Sequence, residues 1–356
     1  MALAFLNSVT KNKGSLLALD LGGRTTKAIH MLRKGDAFIL SKFGLFDAPV
    51  SEQGLTKELL VGHLKTISQA MDSKAKNVVV AIDVNDATVR QAELPLMPVG
   101  DMRQVLKMNT KTYLQQDLPG HVFDCYIMPP KEGLSADKAK GAGNMPKSKV
   151  LVAGAKKQLV DDLQTSIRNA GLIPDAIVPS VIGPVNAFEM AHPEPFAKEV
   201  VALVDIGFKN STICLLQEGE LVLTRVVNIG GDRITQGLAE QMNIGYAEAE
   251  GIKVGMPSEV QAQLEALIAP LGRELRASID FFEHQQDKTV SRVFISGGSA
   301  RSDFFIQLLH NELAIECKSW NPASFLQLSL SPQQLAEIEH VACQLTVAIG
   351  TALATL

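Results

Sequence analysis

The chain has 356 residues, of which 46% are hydrophobic, so it is long enough for about two domains that each bury a core. Its 34 basic and 38 acidic residues give a net charge of −4, which provides no general attraction to nucleic acid or anionic lipid. The four cysteines are far apart and lack CxxC spacing, which favours free thiols in a cytosolic protein over a disulfide framework or a zinc site.

The start of the chain predicts neither a secretion signal nor a membrane span. Residues 1–11 include an apolar patch, but no basic segment precedes it, and no stretch approaches the roughly 18 apolar residues of a membrane helix. A short amphipathic start that touches a membrane or a partner remains open.

The first predicted element is a hairpin with an acidic turn. An apolar run, 16–19, leads into Asp20 and Gly22, and small hydroxyl-bearing residues follow before apolar residues return. Glycine lets the backbone approach an anion, and successive amides with Ser or Thr hydroxyls form a concavity that binds phosphate. The carboxylate of Asp20 would face the same phosphates, which is favourable if a divalent metal lies between them.

The next elements predict an α/β layer around this hairpin. Residues 37–44 resemble a third strand, residues 56–71 carry apolar side chains at helical spacing, and residues 77–83 are typical of a buried strand. The functional edge of this layer should lie at the hairpin turn.

An α+β module follows. Its predicted elements are strands at 87–94, 123–128 and 150–154 and helices at 101–116 and 156–170. Residues 131–149 are rich in Lys, Gly and Ala and predict a loose hairpin loop. Nothing in the module indicates chemistry, and both a structural appendage and a docking surface remain open.

The hairpin phrase then returns at 201–215, after a helix at 180–191 and a proline-rich link at 192–195. Asp205 and Gly207 repeat the acidic turn of the first copy. A single copy is weak evidence, because Gly and Asp also mark plain turns. Recurrence about half a chain apart predicts two related domains that face each other across a cleft and clamp one polyphosphate.

Glycines mark two further junctions in the second half. Residues 221–228 predict a strand, and the following Gly-Gly-Asp at 230–232 begins a helix, either as simple capping or with backbone amides near a ribose or phosphate. Residues 291–296 predict a strand that enters a Gly-Gly-Ser turn, and a helix through Phe304, Phe305 and Leu308 follows. This glycine pair either leaves room for a flat base or serves the tight turn itself.

Three helices complete the prediction. Glu250 and Lys253 stand three residues apart on the first, where an exposed salt bridge is the default interpretation. Residues 264–283 form a long amphipathic helix. The last helix, 335–353, contains Gly350 among small residues that permit close helix approach.

Taken in order, these motifs resemble those of the actin-like ATPase superfamily, which includes actin, sugar kinases, heat-shock chaperones, FtsA and PilM. The phosphate-1, phosphate-2, adenosine and second connecting motifs correspond to Asp20-Leu21-Gly22 with Lys27, Asp205-Ile206-Gly207 with Ser211 and Thr212, Ser296-Gly297-Gly298, and Gly350-Thr351-Ala352. Within the superfamily the sequence is most similar to the PilM family of type IV pilus assembly, and residues 226–235 and 246–253 add to this similarity.

The resemblance implies an α/β fold with two actin-like (ribonuclease H-like) domains that face a nucleotide cleft. A small α+β subdomain would be inserted in the first domain. The implied boundaries are 1–84 with 176–195 for domain 1, 85–175 for the inserted subdomain, and 196–356 for domain 2.

The resemblance also implies ATP and Mg²⁺ as cofactors. Asp20 and Asp205 would be the catalytic residues and would orient magnesium through water. The residues implied to hold the phosphates are Gly22, Gly23, Arg24, Thr25, Thr26, Lys27, Gly207, Asn210 and Ser211. The residues implied to line the rest of the nucleotide site are Gly230, Gly231, Asp232, Glu250, Lys253, Gly297, Gly298 and Ser299.

Two departures from the superfamily pattern qualify this site. The segment 180–184 lacks the acidic or amide residue that positions the attacking water in efficient members, so ATP binding is favoured and turnover would be slow at most. Asn186 and Glu189 would substitute only if the helix began elsewhere. Arg24 and Lys209 are bulky for their turns, and we interpret them as added positive charge for the phosphates rather than as exposed side chains.

The implied function is that of an ATP-binding cytoplasmic adaptor in a type IV pilus-type assembly machine. It would bind the cytoplasmic N-terminal tail of a PilN-like inner-membrane protein in a groove near 89–113, between the first domain and the inserted subdomain. This partner would keep it at the inner face of the cytoplasmic membrane. Other pilus assembly components and a homo-oligomer are further expected partners, and nucleic acid is not.

Two other functions remain as alternatives. A small-molecule kinase of the same superfamily needs a carboxylate base near the sugar site, and the sequence offers no candidate with a substrate-binding loop around it. An FtsA-like membrane-associated filament protein needs a basic amphipathic tail after the last motif, which the sequence does not carry after Ala352.

Overall fold

The computed structural model describes residues 14–49, 56–72, 75–129 and 146–356. The predicted amphipathic start at 1–11 and most of the predicted loop at 131–149 lie outside these residues. Strand β7 already begins at Lys147, within the range predicted as a loop. Every helix in the described part of the chain is too short or too polar to span a bilayer.

Strands and α-helices are interspersed along the described chain. The strands are β1 Ser15–Leu21, β2 Thr25–Lys34, β3 Ala37–Asp47, β4 Asn77–Ile82, β5 Ala87–Pro95, β6 His121–Ile127, β7 Lys147–Lys156, β8 Ile173–Pro179, β9 Val200–Ile206, β10 Ser211–Gln217, β11 Glu220–Val227, β12 Arg292–Gly297, β13 Glu316–Ser319 and β14 Gln327–Leu328. The α-helices are α1 Lys57–Met71, α2 Val99–Met108, α3 Thr110–Leu114, α4 Lys157–Asn169, α5 Ile182–Ala191, α6 Pro193–Lys198, α7 Gly231–Met242, α8 Tyr246–Gly255, α9 Gln261–Gln286, α10 Asp303–Leu313, α11 Pro332–Val341 and α12 Thr346–Leu353.

The first sheet has the order β14-β3-β2-β1-β4-β8. Strands β1, β2 and β3 form an antiparallel meander, and β4 and β8 join it in parallel. In the register of the first hairpin, Asp20 lies opposite Lys27. Helices α1 and α4 pack together against this sheet, with apolar faces that include Leu64 and Ile167.

The second sheet repeats this topology in the order β11-β10-β9-β12-β13. Strands β9, β10 and β11 form the meander, and β12 and β13 run parallel to β9. Asp205 lies opposite Thr212, the position that corresponds to Lys27 in the first hairpin. The duplicated sequence phrase therefore corresponds to a duplicated sheet.

A third sheet, β5-β7-β6, forms the inserted module with α2 and α3 on one face. The module follows β4 in the first domain, yet its strand β5 also contacts β11 of the second sheet. There the side chain of Gln91 donates to the carbonyl of Leu221 at 2.5 Å, and Thr224 donates to the carbonyl of Val89 at 3.1 Å.

The C-terminal segment returns to the first sheet. Strand β14 pairs with β3, and α12 packs against β1, β4 and α5. Helices α5 and α12 cross so closely that a Cβ added at Gly350 would lie 1.7 Å from the carbonyl oxygen of Gly183. The predicted domain boundaries stay a prediction, and in the packing α12 lies with the first sheet.

Three further sequence predictions of local structure were wrong. The helix predicted at 335–353 is interrupted at 342–344 by a 3₁₀ turn that contacts the second domain before α12 enters the first. The helix predicted at 101–116 breaks at Asn109 into α2 and α3. The proline-rich link begins α6, because a proline suits the first turn of a helix, where its missing N–H has no partner to lose.

A continuous core of buried apolar side chains joins the two domains. The ring centroid of Phe188 in α5 lies 4.6 Å from the ring centroid of Phe294 in β12. It lies 5.4 Å from the ring centroid of Trp320, which follows β13. Phe188 belongs to the helix that follows the first sheet and Phe294 to the second sheet, so the packing of these rings joins the two domains.

Candidate functional site

A cavity of about 380 Å³ lies between the turns of the two hairpins. This volume falls within the range of small-molecule sites in proteins. Both domains contribute to its wall. The residues expected from the sequence that line it are Asp20, Gly22, Gly23, Arg24, Thr25, Lys27, Asp205, Gly207, Asn210, Gly231, Glu250, Lys253, Gly297, Gly298 and Ser299.

Two of the predicted hydroxyl residues do not line the cavity. Thr26 is buried, and its Oγ1 lies 2.8 Å from Nε2 of His63 on α1. Ser211 is also buried, and its hydroxyl donates to the carbonyl of Ile229 at 2.6 Å. Because side chains alternate along a strand, the neighbouring Thr25 and Thr212 face the cavity instead.

Two predicted residues at the start of α7 also lie outside the cavity wall. Gly230 packs so closely against the second turn that a Cβ there would lie 2.3 Å from the carbonyl oxygen of Phe208. The carboxylate of Asp232 accepts a hydrogen bond from the hydroxyl of Tyr246 at 2.8 Å. Sequence reasoning placed both residues beside the nucleotide, and the structure gives both of them contacts within the second domain.

The backbone amides at the start of α7 hold the second hairpin turn. The amide of Gly231 donates to the carbonyl of Gly207 at 3.0 Å, and that of Asp232 donates to Phe208 at 2.9 Å. Both amides therefore donate to backbone carbonyls of the protein and are not available to a ligand. Gly231 itself still lines the cavity.

A lysine and two carboxylates form the polar floor of the cavity. The Nζ atom of Lys27 lies 3.0 Å from Oδ2 of Asp20. Burial alone would lower the pKa of Lys27, but the negative charges of Asp20 and Asp205 outweigh it, so the pKa is raised. Lys27 is therefore positively charged in the site.

Asp205 is the second carboxylate of this floor. Removal of its carboxylate from solvent raises its pKa, although the hydroxyl of Ser296, which donates to it at 2.7 Å, and the charge of Lys27 oppose the rise. The charge of Asp20 raises it further. A second cation in this position would stabilise the ionised form, and carboxylate oxygens are the protein ligands that Mg²⁺ prefers.

Two long basic side chains cross the cleft between the turns. Nη1 of Arg24 lies 2.9 Å from Oε1 of Glu250, and its guanidinium lies 5.6 Å from the ring centroid of Phe208. The aliphatic part of Lys209 lies against Gly23, where a Cβ would be 3.6 Å from Cγ of the lysine. Each of the two side chains therefore contacts the domain on the opposite side of the cleft.

Glu250 and Lys253 form the pair predicted from their spacing on α8. Nζ of Lys253 lies 2.7 Å from Oε2 of Glu250, and the hydroxyl of Thr235 donates to the same oxygen at 2.5 Å. Burial would raise the pKa of Glu250, but these partners and Arg24 outweigh it and lower the pKa. The carboxylate is therefore ionised.

The glycine pair after β12 has two separate explanations. Gly297 has φ +92°, and a Cβ there would lie 2.3 Å from the carbonyl oxygen of Ile206, so the turn itself requires glycine. Gly298 has an ordinary φ, and no atom lies within 4 Å of the space beside it. Gly298 thus leaves open room in the cavity wall.

The sequence did not reveal the apolar part of the wall. It is formed by side chains from α8, the turn before α9, α9 itself and α10. They are Val254, Pro257, Leu264, Phe304 and Phe305. No motif marks these residues, and each is part of an ordinary apolar pattern in its own element, so only their convergence identifies them.

Asp83 also lines the cavity and was not predicted as a site residue. It directly follows β4, at the carboxyl end of a parallel strand, where ligands of α/β sheets commonly bind. That rule could have identified it. Its Oδ1 accepts hydrogen bonds from the amide of Asn85 at 2.9 Å and from the Asn85 side chain at 3.0 Å.

The segment at 180–184 brings a hydroxyl to the cavity through Ser180. Asn186 does not replace the missing acidic or amide residue. It is buried, and its side-chain nitrogen donates to the carbonyl of Gly350 at 3.1 Å, on the side of α5 that packs against α12.

Duplicated meander-and-parallel sheets on either side of a cleft define the class of the protein, which is the actin-like ATPase fold. MreB 5 of Spiroplasma citri bound to AMPPNP superposes with a TM-score of 0.53 at 11% identity, covering 97% of this chain and 96% of that chain. The PilM-PilN type IV pilus biogenesis complex gives a TM-score of 0.81 at 20% identity, covering 95% of this chain and 97% of that chain. The predicted fold class is confirmed.

The chain belongs to the family of the type IV pilus assembly protein PilM, whose model matches residues 18–356. The predicted family is thereby confirmed. A curated relative, cell division protein FtsA of Bacillus subtilis (strain 168), is 24% identical over 262 residues. That match covers 68% of this chain and 58% of FtsA, so the chain matches little more than half of this relative.

Proposed function

We propose that the protein is an ATP-binding adaptor of type IV pilus assembly that binds the cytoplasmic tail of a PilN-like inner-membrane protein. The observation that carries this proposal is the family match over residues 18–356, together with the fold shared with the PilM-PilN complex. The cleft between the two hairpin turns is the proposed nucleotide site.

The composition of the cavity suits a nucleotide and magnesium. At its polar end, Lys27 supplies a positive charge for the phosphates, and Asp20 and Asp205 would hold Mg²⁺ through water. Bound magnesium would neutralise phosphate charge and keep both carboxylates ionised. At the other end, Val254, Phe304 and the remaining apolar wall suit a flat base.

The site favours binding over rapid turnover. An efficient ATPase needs a group that orients and deprotonates the attacking water. Residues 180–184 supply only the hydroxyl of Ser180 to the cavity, and the Asn186 amide donates to Gly350. We therefore expect slow hydrolysis at most, in keeping with an adaptor whose nucleotide state changes rarely.

The inserted module is the proposed docking site for the partner tail, near residues 89–113. Leu96 and Met108 expose 58% and 80% of their surface there. Large apolar side chains that remain exposed often belong to interaction surfaces. A membrane-anchored partner at this surface would keep the protein at the inner face of the cytoplasmic membrane, near other pilus components. A homo-oligomer is compatible with this arrangement.

A calorimetric titration with a partner peptide tests the adaptor role. We expect a synthetic peptide of the cytoplasmic N-terminus of a PilN-like protein to bind the full chain, and a scrambled peptide of equal composition to fail. Met108→Asp should weaken the peptide about tenfold or more by placing a charge in an apolar contact. Absence of binding both with and without Mg·ATP would rule out the adaptor role and favour the kinase alternative.

A further inference from the structure

Arg24 belongs to the first hairpin turn but makes its side-chain contacts with the second domain. Nη1 donates to Oε1 of Glu250 at 2.9 Å, and the guanidinium lies over Phe208 at 5.6 Å. The Arg24 side chain is 49% exposed, so the guanidinium lies at the mouth of the cleft rather than in its core. It can therefore turn without rearranging a packed interior.

Glu250 divides its two oxygens between the domains. Oε2 accepts from Thr235 and Lys253 within the second domain, while Oε1 faces Arg24 across the cleft. Lys253 and Thr235 fix the carboxylate in place, and its lowered pKa keeps it ionised. A ligand hydroxyl that approaches Oε1 must compete with the guanidinium for this acceptor.

We propose that Arg24 selects ligands by their phosphate chain, exchanging its bond to Glu250 for a bond to a phosphate oxygen. This inference rests on the proposed nucleotide site and adds a specificity determinant to it. A nucleoside triphosphate both displaces Arg24 from Glu250 and supplies it with a new anionic partner. A nucleoside without phosphates also displaces the guanidinium from Glu250, but it supplies no anionic group to which Arg24 can bind.

The geometry of the turn suits this exchange. Arg24 lies between Gly23 and Thr25, which both line the cavity, and Lys27 on the adjoining strand β2 is part of the cavity floor. The guanidinium is planar and carries several donors, so it can bind a phosphate with two hydrogen bonds. Its contact with the Phe208 ring can persist while its donors change partner.

The test compares adenosine with Mg·ATP in binding titrations of the full chain. Arg24→Ala should weaken ATP about tenfold, because a charge-assisted contact to phosphate is lost. It should tighten adenosine about two- to fivefold, because the competitor for Glu250 is removed. Arg24→Lys keeps the charge and should restore ATP affinity to within about threefold of the wild type.

Arg276→Ala serves as the matched control, since this arginine pairs with Asp280 on the surface of α9 and does not line the cavity. It should leave both affinities unchanged. If Arg24→Ala lowers both affinities equally, or changes neither, the selection role is overturned while ATP binding stands. If the wild type binds no ATP at all, the proposed nucleotide site itself fails. Should Arg24→Ala not fold, Arg24→Gln gives the same test.

Discussion

At the scale of single residues, the site depends on charges that hold one another in place. Lys27 keeps its proton in a largely enclosed position because Asp20 lies 3.0 Å away and Asp205 lies nearby. The same carboxylates would repel a bare polyphosphate. Positive charge from Lys27 and from a bound cation is therefore needed before phosphates can enter this floor.

Lys27→Ala should weaken Mg·ATP binding by about ten- to a hundredfold, because a charge-assisted phosphate contact is lost beside two carboxylates. Isothermal calorimetry measures the affinity directly. Lys34→Ala, at the exposed end of the same strand, is the control and should have no effect. Asp20→Ala should weaken the nucleotide as well. Unchanged affinity in both site variants would count against this site.

Asp205→Asn should stabilise the ligand-free protein and weaken Mg²⁺-dependent nucleotide binding. The amide can still accept from Ser296 but needs no costly removal of charge from water. We expect a gain of about 0.5–2 kcal/mol in the free energy of unfolding, the size that single stabilising substitutions commonly reach. Urea unfolding at pH 8, with and without Mg·ATP, measures both effects. Destabilisation at pH 8 would contradict the raised pKa of Asp205.

The stability that Asp205→Asn gains over the wild type should increase with pH. The pKa of Asp205 is raised in the native state above the ordinary value of 3.8. Below that value the carboxyl is protonated in both the folded and unfolded chains, so it costs nothing. As the pH rises through the native pKa, the wild type loses stability relative to Asp205→Asn. The difference in unfolding free energy should therefore vanish in acid.

The sequence could identify the segments of the site better than the individual side chains. Motifs located both turns, but strand alternation decided that Thr25 and Thr212 face the cavity while Thr26 and Ser211 do not. The apolar wall could not be predicted, because its residues come from four elements that only the tertiary fold brings together.

At the scale of elements, the crossing of α5 and α12 fixes the base of the cleft. Gly183 and Gly350 allow the two backbones to touch, and Asn186 adds a hydrogen bond to the carbonyl of Gly350. Close approach of this kind leaves no room for a side chain at the contact. Ser180 lies just before α5 and Val347 lies in α12, so the spacing of the two helices bears on the position of both residues in the cavity wall.

Gly350→Ala should lower the free energy of unfolding by about 1–3 kcal/mol or more, since the added methyl group forces the helices apart. Gly62→Ala in α1 is the matched control, because no atom lies within 4 Å of the space beside Gly62. There the substitution should stabilise by about 0.4–1 kcal/mol. Chemical denaturation compares the two variants, and equal effects would contradict the proposed packing role.

Elements with a clear hydrophobic period were predictable, and their interruptions were not. The first meander, β4 and α1 follow from apolar patterns in the sequence. The break between α11 and α12 does not, because it arises where one segment contacts the second domain and the next enters the first. Tertiary packing there overrides local propensity.

At the scale of the whole molecule, duplication explains both the fold and the cleft. Two sheets of the same topology place their acidic turns on either side of the cavity, and a shared core that includes Phe188, Phe294 and Trp320 joins the domains. The sequence predicted this arrangement because the hairpin phrase occurs twice. It did not predict that the inserted module also contacts β11.

Both the inserted module and the first hairpin turn contact the second domain. Gln91 and Thr224 join the module to strand β11, and Arg24 joins the first turn to Glu250. A change in the angle between the domains would alter both sets of contacts. Energetic coupling between two sites requires a shared element of this kind.

A crystal structure of the full chain with Mg²⁺ and a non-hydrolysable ATP analogue tests the central claim most directly. We expect electron density for one nucleotide in the cleft, with its phosphates between residues 22–27 and 207–210 and its base against the apolar wall. Density for the analogue elsewhere on the surface, or an empty cleft at saturating concentration, would contradict it.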